Sequence, residues 1–198
     1  MGENVVELAG QVSEICKIKQ IRQNAIIFSL IISVCSFCYY SFNLSLKNVS
    51  GSLINNTLSS QAAEIVANVI GGALVFKIGA RFSLFLAFLI SAIGAIGLIF
   101  VFDMGNDILI TVFVGIAKFG ISAAFNMIYI CFMELIPTIF TATVFGYGNM
   151  SARFITILAP QIAEIKGVLP QIITLGLCII GGICSFLILE KKHLPRFV

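Results

Sequence analysis

Charge is what this 198-residue chain has least of: Asp, Glu, Lys and Arg together make up 11%, and His193 is its one histidine. Soluble domains carry about a quarter charged residues, so a water-facing globular surface is excluded. The lone histidine lies by the C-terminus, and no apolar run holds a Ser–His, Cys–His or paired-Asp set, which excludes an enzyme built on such groups. No catalytic residue, cofactor or metal site is therefore expected, and no ligand spacing for a structural metal is present. Nor is there a basic patch interleaved with aromatics, so nucleic acid is not a partner. Cysteine is present as Cys16, Cys35, Cys38, Cys131, Cys178 and Cys184. All but Cys16 sit in apolar runs, where they read as small core residues, not as a disulfide framework.

What the chain has instead is apolar length. Hydrophobic residues make up 59%, and six runs are long enough to cross about 30 Å of hydrocarbon. They cover Asn24 to Leu46, Thr57 to Ile78, Phe82 to Phe102, Ile108 to Phe132, Thr141 to Ala163 and Val168 to Leu189. The fold class is thus an all-α membrane protein, with the lipid bilayer as its first partner. Residues 1–23 carry Val5, Leu8, Val12, Ile15 and Ile18 at near-helical spacing among charges, the pattern of an amphipathic segment at a membrane surface. They lack the basic start, apolar centre and cleavage site of a signal peptide, so the first span directs insertion. The expected organisation is a cytosolic segment at 1–23, a six-span bundle at 24–189 and a cytosolic tail at 190–198.

Lys17, Lys19, Arg22, Lys77, Arg81, Lys191, Lys192 and Arg196 fall in connections on one side, against Lys47 and Lys166 on the other. Positive charge favours the cytosolic side, so both termini are expected there, with the plasma membrane as the host. The sequons at Asn48 and Asn55 then lie outside.

Polar residues in the spans keep to faces. Ser29, Ser33, Ser36, Tyr40 and Asn43 share one in the first span; Gln61, Glu64 and Asn68 share one in the second. The fourth gives Thr111, Gly115, Lys118, Ser122, Asn126 and Tyr129, and the fifth Gly146, Asn149, Arg153, Thr156 and Pro160. Spans three and six are nearly all apolar and read as outer, lipid-facing supports. Ala87, Ser91 and Ala95 give span three a small-residue face for close packing. Two polar helices followed by an apolar one, twice over, is the plan of an inverted repeat of three helices.

Lys118 and Arg153 stand out, because a bare cation at bilayer depth costs about 2.5–3.5 kcal/mol and is kept for a path or a partner. Lys118 lies about 15 Å from the outer end of its span and Arg153 about 18 Å from the inner end of its own. Both depths approach the midplane, where transporters hold substrate. The alternative at Lys118 is structural, with the amine pairing to backbone carbonyls or to Glu64.

Three stretches, SFCYYSFNLSL from Ser36, KFGISAAFNMIYICFMELIPT from Lys118 and GNMSARFITILAP from Gly148, carry a resemblance. They resemble the second half of the organic cation, anion and carnitine transporters of the major facilitator superfamily, over about Ser33 to Pro170. The resemblance implies one six-helix bundle of a twelve-span fold that works by alternating access on small organic ions. A missing first bundle, or a second copy of this chain, would complete it. Substrate-binding residues expected on that basis are Arg153, Lys118, Tyr40, Asn126, Tyr129, Asn149 and Glu64. Tyr39 and Phe125 are candidate wall residues. An arginine at the position of Arg153 resembles the anion and carnitine members, and its planar fork suits a carboxylate, so carboxylate-bearing anions or zwitterions are the expected substrates.

Two departures from the family pattern concern its cytosolic charge latch. The loop Phe76-Lys77-Ile78-Gly79-Ala80-Arg81 lacks the family's acid and one base, while Glu134, Leu135, Pro137 and Thr138 are kept without the arginine that follows them. Glu134 is then expected to rely on Lys77 or Arg81 as a cytosolic gate. The competing expectation is a truncated, non-transporting membrane protein that associates with a full-length relative and modulates it.

Overall fold

The structure, a computed structural model, describes residues 12–49, 52–102, 104, 106–165 and 167–188. In chain order the helices are α1 (Val12–Lys17), α2 (Lys19–Ser45), α3 (Leu53–Ile78), α4 (Ala80–Val101), α5 (Asp107–Leu135), α6 (Thr138–Thr156), α7 (Ala159–Ala163) and α8 (Leu169–Phe186). A single 3-10 turn, Leu46–Asn48, extends α2. Residues 1–11 and the expected tail at 190–198 lie outside the described residues. The first crossing helix opens at Lys19, five residues before its apolar run, because backbone hydrogen bonding continues past the point where hydropathy falls. There Arg22 Nη1 donates to the Cys16 carbonyl at 3.0 Å.

Five helices, α2 with its added turn, α3, α4, α5 and α8, are long and apolar enough to cross a membrane. The crossing expected over Thr141 to Ala163 is divided into α6 and α7. Pro160 explains the break: proline has no N–H to give the carbonyl four residues back, and its ring crowds that carbonyl. The residue four back is Thr156, where α6 ends. Proline is tolerated in the first turn of a new helix, and α7 begins with Ala159 and Pro160.

Helix α5 is central, packing on α4, α3 and α2. Helix α4 lies between α5 and α8, and α8 closes back on α2. Helix α6 leans on α2 and barely meets α5. The apolar α4 and α8 therefore form the back of the bundle, while α3, α5, α2 and α6 form its front. Asn48 Nδ2 donates to the Ala163 carbonyl at 2.7 Å, tying the C-terminal end of α2 to α7. Asn55 stands exposed in the first turn of α3.

The seam between α4 and α5 is made of small residues, as the Ala87, Ser91 and Ala95 face suggests. A Cβ on Gly120 would stand 2.3 Å from Ser91 N and 2.6 Å from Ala87 O, and one on Gly94 would stand 2.3 Å from Ala117 N. The backbones touch there, which is how membrane helices gain attraction without a hydrophobic driving force. Gly120→Ala is expected to lower stability by about 1–3 kcal/mol through overpacking. Gly176→Ala, whose Cβ would meet nothing within 4 Å, serves as the control. Equal thermal midpoints for the two variants in detergent would discount this seam.

Candidate functional site

Four side chains from three helices meet behind the front face. Tyr39 and Asn43, four apart on α2, point the same way, toward Lys118 of α5 and Glu64 of α3. Lys118 Nζ donates to Asn43 Oδ1 at 2.8 Å, pairs with Glu64 Oε2 at 3.1 Å and sits 3.6 Å from the centroid of the Tyr39 ring. An ammonium has three N–H donors, and here a carboxylate, an amide oxygen and an aromatic face account for them. The Lys118 side chain is 0% exposed and that of Glu64 21%. Tyr39 OH donates to Glu64 Oε1 at 2.7 Å, so both carboxylate oxygens have a partner. The backbones of α2 and α3 have next to no contact of their own; this polar bridge spans the space between them.

A row of rings leads away from the bridge. Tyr40 meets Tyr39 edge-on at 5.5 Å, Tyr39 stacks on Phe125 at 5.4 Å, Phe125 meets Tyr129 at 5.3 Å, and Tyr129 reaches Phe145 of α6 at 5.6 Å. Centroid separations of 4.5–7 Å are those of attractive aromatic pairs. Tyr40 is 41% exposed on the front. Asn126 Nδ2 donates to the Asn68 carbonyl of α3 at 3.2 Å, whereas Asn149 Nδ2 turns back to the Phe145 carbonyl of its own helix at 3.0 Å.

Arg153 differs from Lys118 in every respect but sign. It is exposed on α6, is an electrostatic neighbour of Tyr129, and has no hydrogen-bond or ion-pair partner for its side chain among the described residues. The two cations singled out in the sequence thus differ in their surroundings: Lys118 pairs with Glu64, the contact that the structural alternative expects, and Arg153 is exposed.

At the other end of the bundle, Glu134 in the last turn of α5 and Lys77 in the last turn of α3 are exposed, and Arg81 in the first turn of α4 is half-buried. No ion pair joins Glu134 to either base among the described residues. No group of three or more His, Cys, Asp or Glu side chains that could hold a metal occurs among them either. By sequence Tyr39 is a candidate wall residue and Asn43 a member of the polar face of the first span. Their spacing of four residues puts them on one side of α2, and the structure sets that side against Lys118.

Helices of membrane-crossing length, a polar bridge among three of them and an open cation on one face define a multi-pass membrane protein built as a helical bundle. No family model matches the chain. Solute carrier family 22 member 16 from Homo sapiens is 31% identical over 153 residues, 76% of this chain and 26% of that protein. Organic cation/carnitine transporter 2 from Homo sapiens is 28% identical over 180 residues, 88% of this chain and 32% of that protein. Solute carrier family 22 member 15-like from Xenopus tropicalis is 31% identical over 195 residues, 94% of this chain and 40% of that protein. The chain belongs to the organic cation, anion and carnitine transporter family of the major facilitator superfamily. It spans about a quarter to two fifths of the length of these curated relatives.

Proposed function

We propose that the chain forms the second bundle of a plasma-membrane transporter that moves small organic ions by alternating access, with carboxylate-bearing anions or zwitterions as its preferred substrates. Organic ions as a class are supported by the relatives, among them organic cation/carnitine transporter 2. The preference for a carboxylate rests on one observation. Lys118 and Glu64 cancel each other inside the bundle, and Arg153 remains as the open cation of the front face. A guanidinium offers two parallel N–H donors to a carboxylate, and Tyr40, Tyr129, Asn126 and Asn149 lie on the same side of the bundle as walls and hydrogen-bonding groups. Pairing this face with a first bundle, or with a second copy of the chain, would turn it into an enclosed path. The reading is tested with a matched pair of probes, benzoate and benzyltrimethylammonium, whose affinities are measured by ligand-induced thermal stabilisation of the purified chain and of its Arg153→Asp form. If reversal of that charge leaves the anion-to-cation ratio unchanged, the carboxylate assignment is lost.

The same reading places both termini in the cytosol. Helix α3 carries Asn55 in its first turn and Lys77 in its last, about 33 Å apart along the axis. The bias of Lys17, Lys19, Arg22, Lys77 and Arg81 sets the Lys77 end inside. Lys166, Lys191, Lys192 and Arg196 lie outside the described residues. Single cysteines introduced at Asn55 and Lys77 are expected to react with an impermeant thiol reagent from opposite sides of intact cells. Labelling of Lys77→Cys from outside would reverse the topology.

A further inference from the structure

We infer that Tyr39 withholds Glu64 from substrate and thereby fixes the charge preference of the site, an inference that rests on reading the front face as the substrate-binding surface. Among the described residues Glu64 is the carboxylate placed well inside a crossing helix, since Asp107, Glu134 and Glu164 stand at helix ends. Its side chain is 21% exposed, so the front face reaches it. An organic cation arriving there meets the exposed ring of Tyr40, a surface that attracts cations. It meets no free carboxylate oxygen, because Oε2 is buried against Lys118 and Oε1 accepts from Tyr39 OH. Lys118 cannot be the releasable partner, being fully enclosed and held by Asn43 as well. The releasable partner is the phenol hydroxyl.

The ring that carries this hydroxyl is held independently of it. It lies over Lys118, stacks on Phe125 with a 21° interplanar angle and meets Tyr40 edge-on. Tyr39→Phe therefore keeps the packing and removes one O–H donor. The oxygen it uncovers is anionic and adjoins an aromatic wall, which is the chemistry that recognises a substituted ammonium. Tyr39 is a positioning residue in this account: it holds Glu64 closed and makes Arg153 the charge that substrate meets first.

The experiment measures benzoate and benzyltrimethylammonium affinities for the wild-type chain and for Tyr39→Phe. The cation-to-anion affinity ratio is expected to rise by about tenfold, the scale of one hydrogen bond to a charged group. In the background Lys118→Met with Glu64→Gln, where no carboxylate is left to uncover, Tyr39→Phe is expected to leave the ratio unmoved. A Tyr39 that only supports the fold would weaken both probes alike, and an unchanged ratio in Tyr39→Phe overturns the inference. If Arg153→Asp shifts the ratio and Tyr39→Phe does not, this inference fails while the proposed function stands. If the wild-type chain binds neither probe, both fall.

Discussion

Lys118→Ala is expected to destabilise the bundle by about 3–5 kcal/mol, the scale of a buried ion pair that loses one partner. The variant leaves the Glu64 carboxylate inside the bundle with Tyr39 OH as its remaining donor and strands the Asn43 amide oxygen. It also opens a space beneath the Tyr39 ring, over which the ammonium had sat. Ordinary interhelical hydrogen bonds in membranes are worth far less, about 0.6 kcal/mol on average and about 1.7 at most in double-mutant cycles. The size of the loss therefore separates a charge pair from polar glue. Lys118→Met combined with Glu64→Gln should recover most of the stability, because exchanging both members of a buried pair for neutral groups of similar volume is often neutral or favourable. Denaturation of the purified chain in mixed micelles reads both values. A single variant within about 1 kcal/mol of wild type would show that the pair does not support the fold.

Charge reversal at Arg153 is expected to invert the preference between matched anionic and cationic probes. Two unit charges 4 Å apart interact by about 1 kcal/mol in water and about 4 kcal/mol near a protein surface. Reversal replaces attraction by repulsion for the anion and the opposite for the cation, and the exposure of Arg153 puts each change near the lower limit, about 2 kcal/mol or some thirtyfold for each probe in opposite directions. Arg153→Lys keeps the charge and loses the fork; anion affinity should fall by about 1–2 kcal/mol, of the order of one charge-assisted hydrogen bond. Stability should change little in either variant, since Arg153 has no side-chain partner to lose among the described residues. A large loss of stability in Arg153→Lys would point to a structural arginine instead.

Those contrasting expectations for the two cations could not be drawn from the sequence, and the reason is geometrical. A stripe such as Lys118, Ser122 and Asn126 fixes which residues share a face, because helical spacing is local. It does not say what stands opposite. The partners of Lys118 lie 75 residues away at Asn43 and 54 away at Glu64, on helices whose rotation about their own axes is set by packing. Hydropathy marks the five helices of crossing length for a similar reason of scale: about 20 apolar residues are needed whatever surrounds them. The break between α6 and α7 was within reach. Pro160 shares a face with Arg153 and Thr156 by spacing, yet its missing N–H bears on the backbone and marks Thr156 as a helix end. At the Lys77 end of the bundle, charge identity suggests that Glu134 leans on Lys77 or Arg81; among the described residues no ion pair joins them, and a charge sign in the sequence does not carry the geometry of a pair.

The polar bridge also has an order in time. Chains emerge N-terminus first, so Tyr39 and Glu64 reach the membrane ahead of Lys118, and α3 arrives carrying an acid whose counter-ion follows. The hydroxyl of α2 is the one partner among these groups that Glu64 finds at that stage, and it is already there. When α5 follows, its ammonium meets a carboxylate that has been oriented in advance, which offsets the cost of bringing a cation to that depth. The neutral pair is thus completed by the later helix, α5, which emerges ahead of α6 and its Arg153.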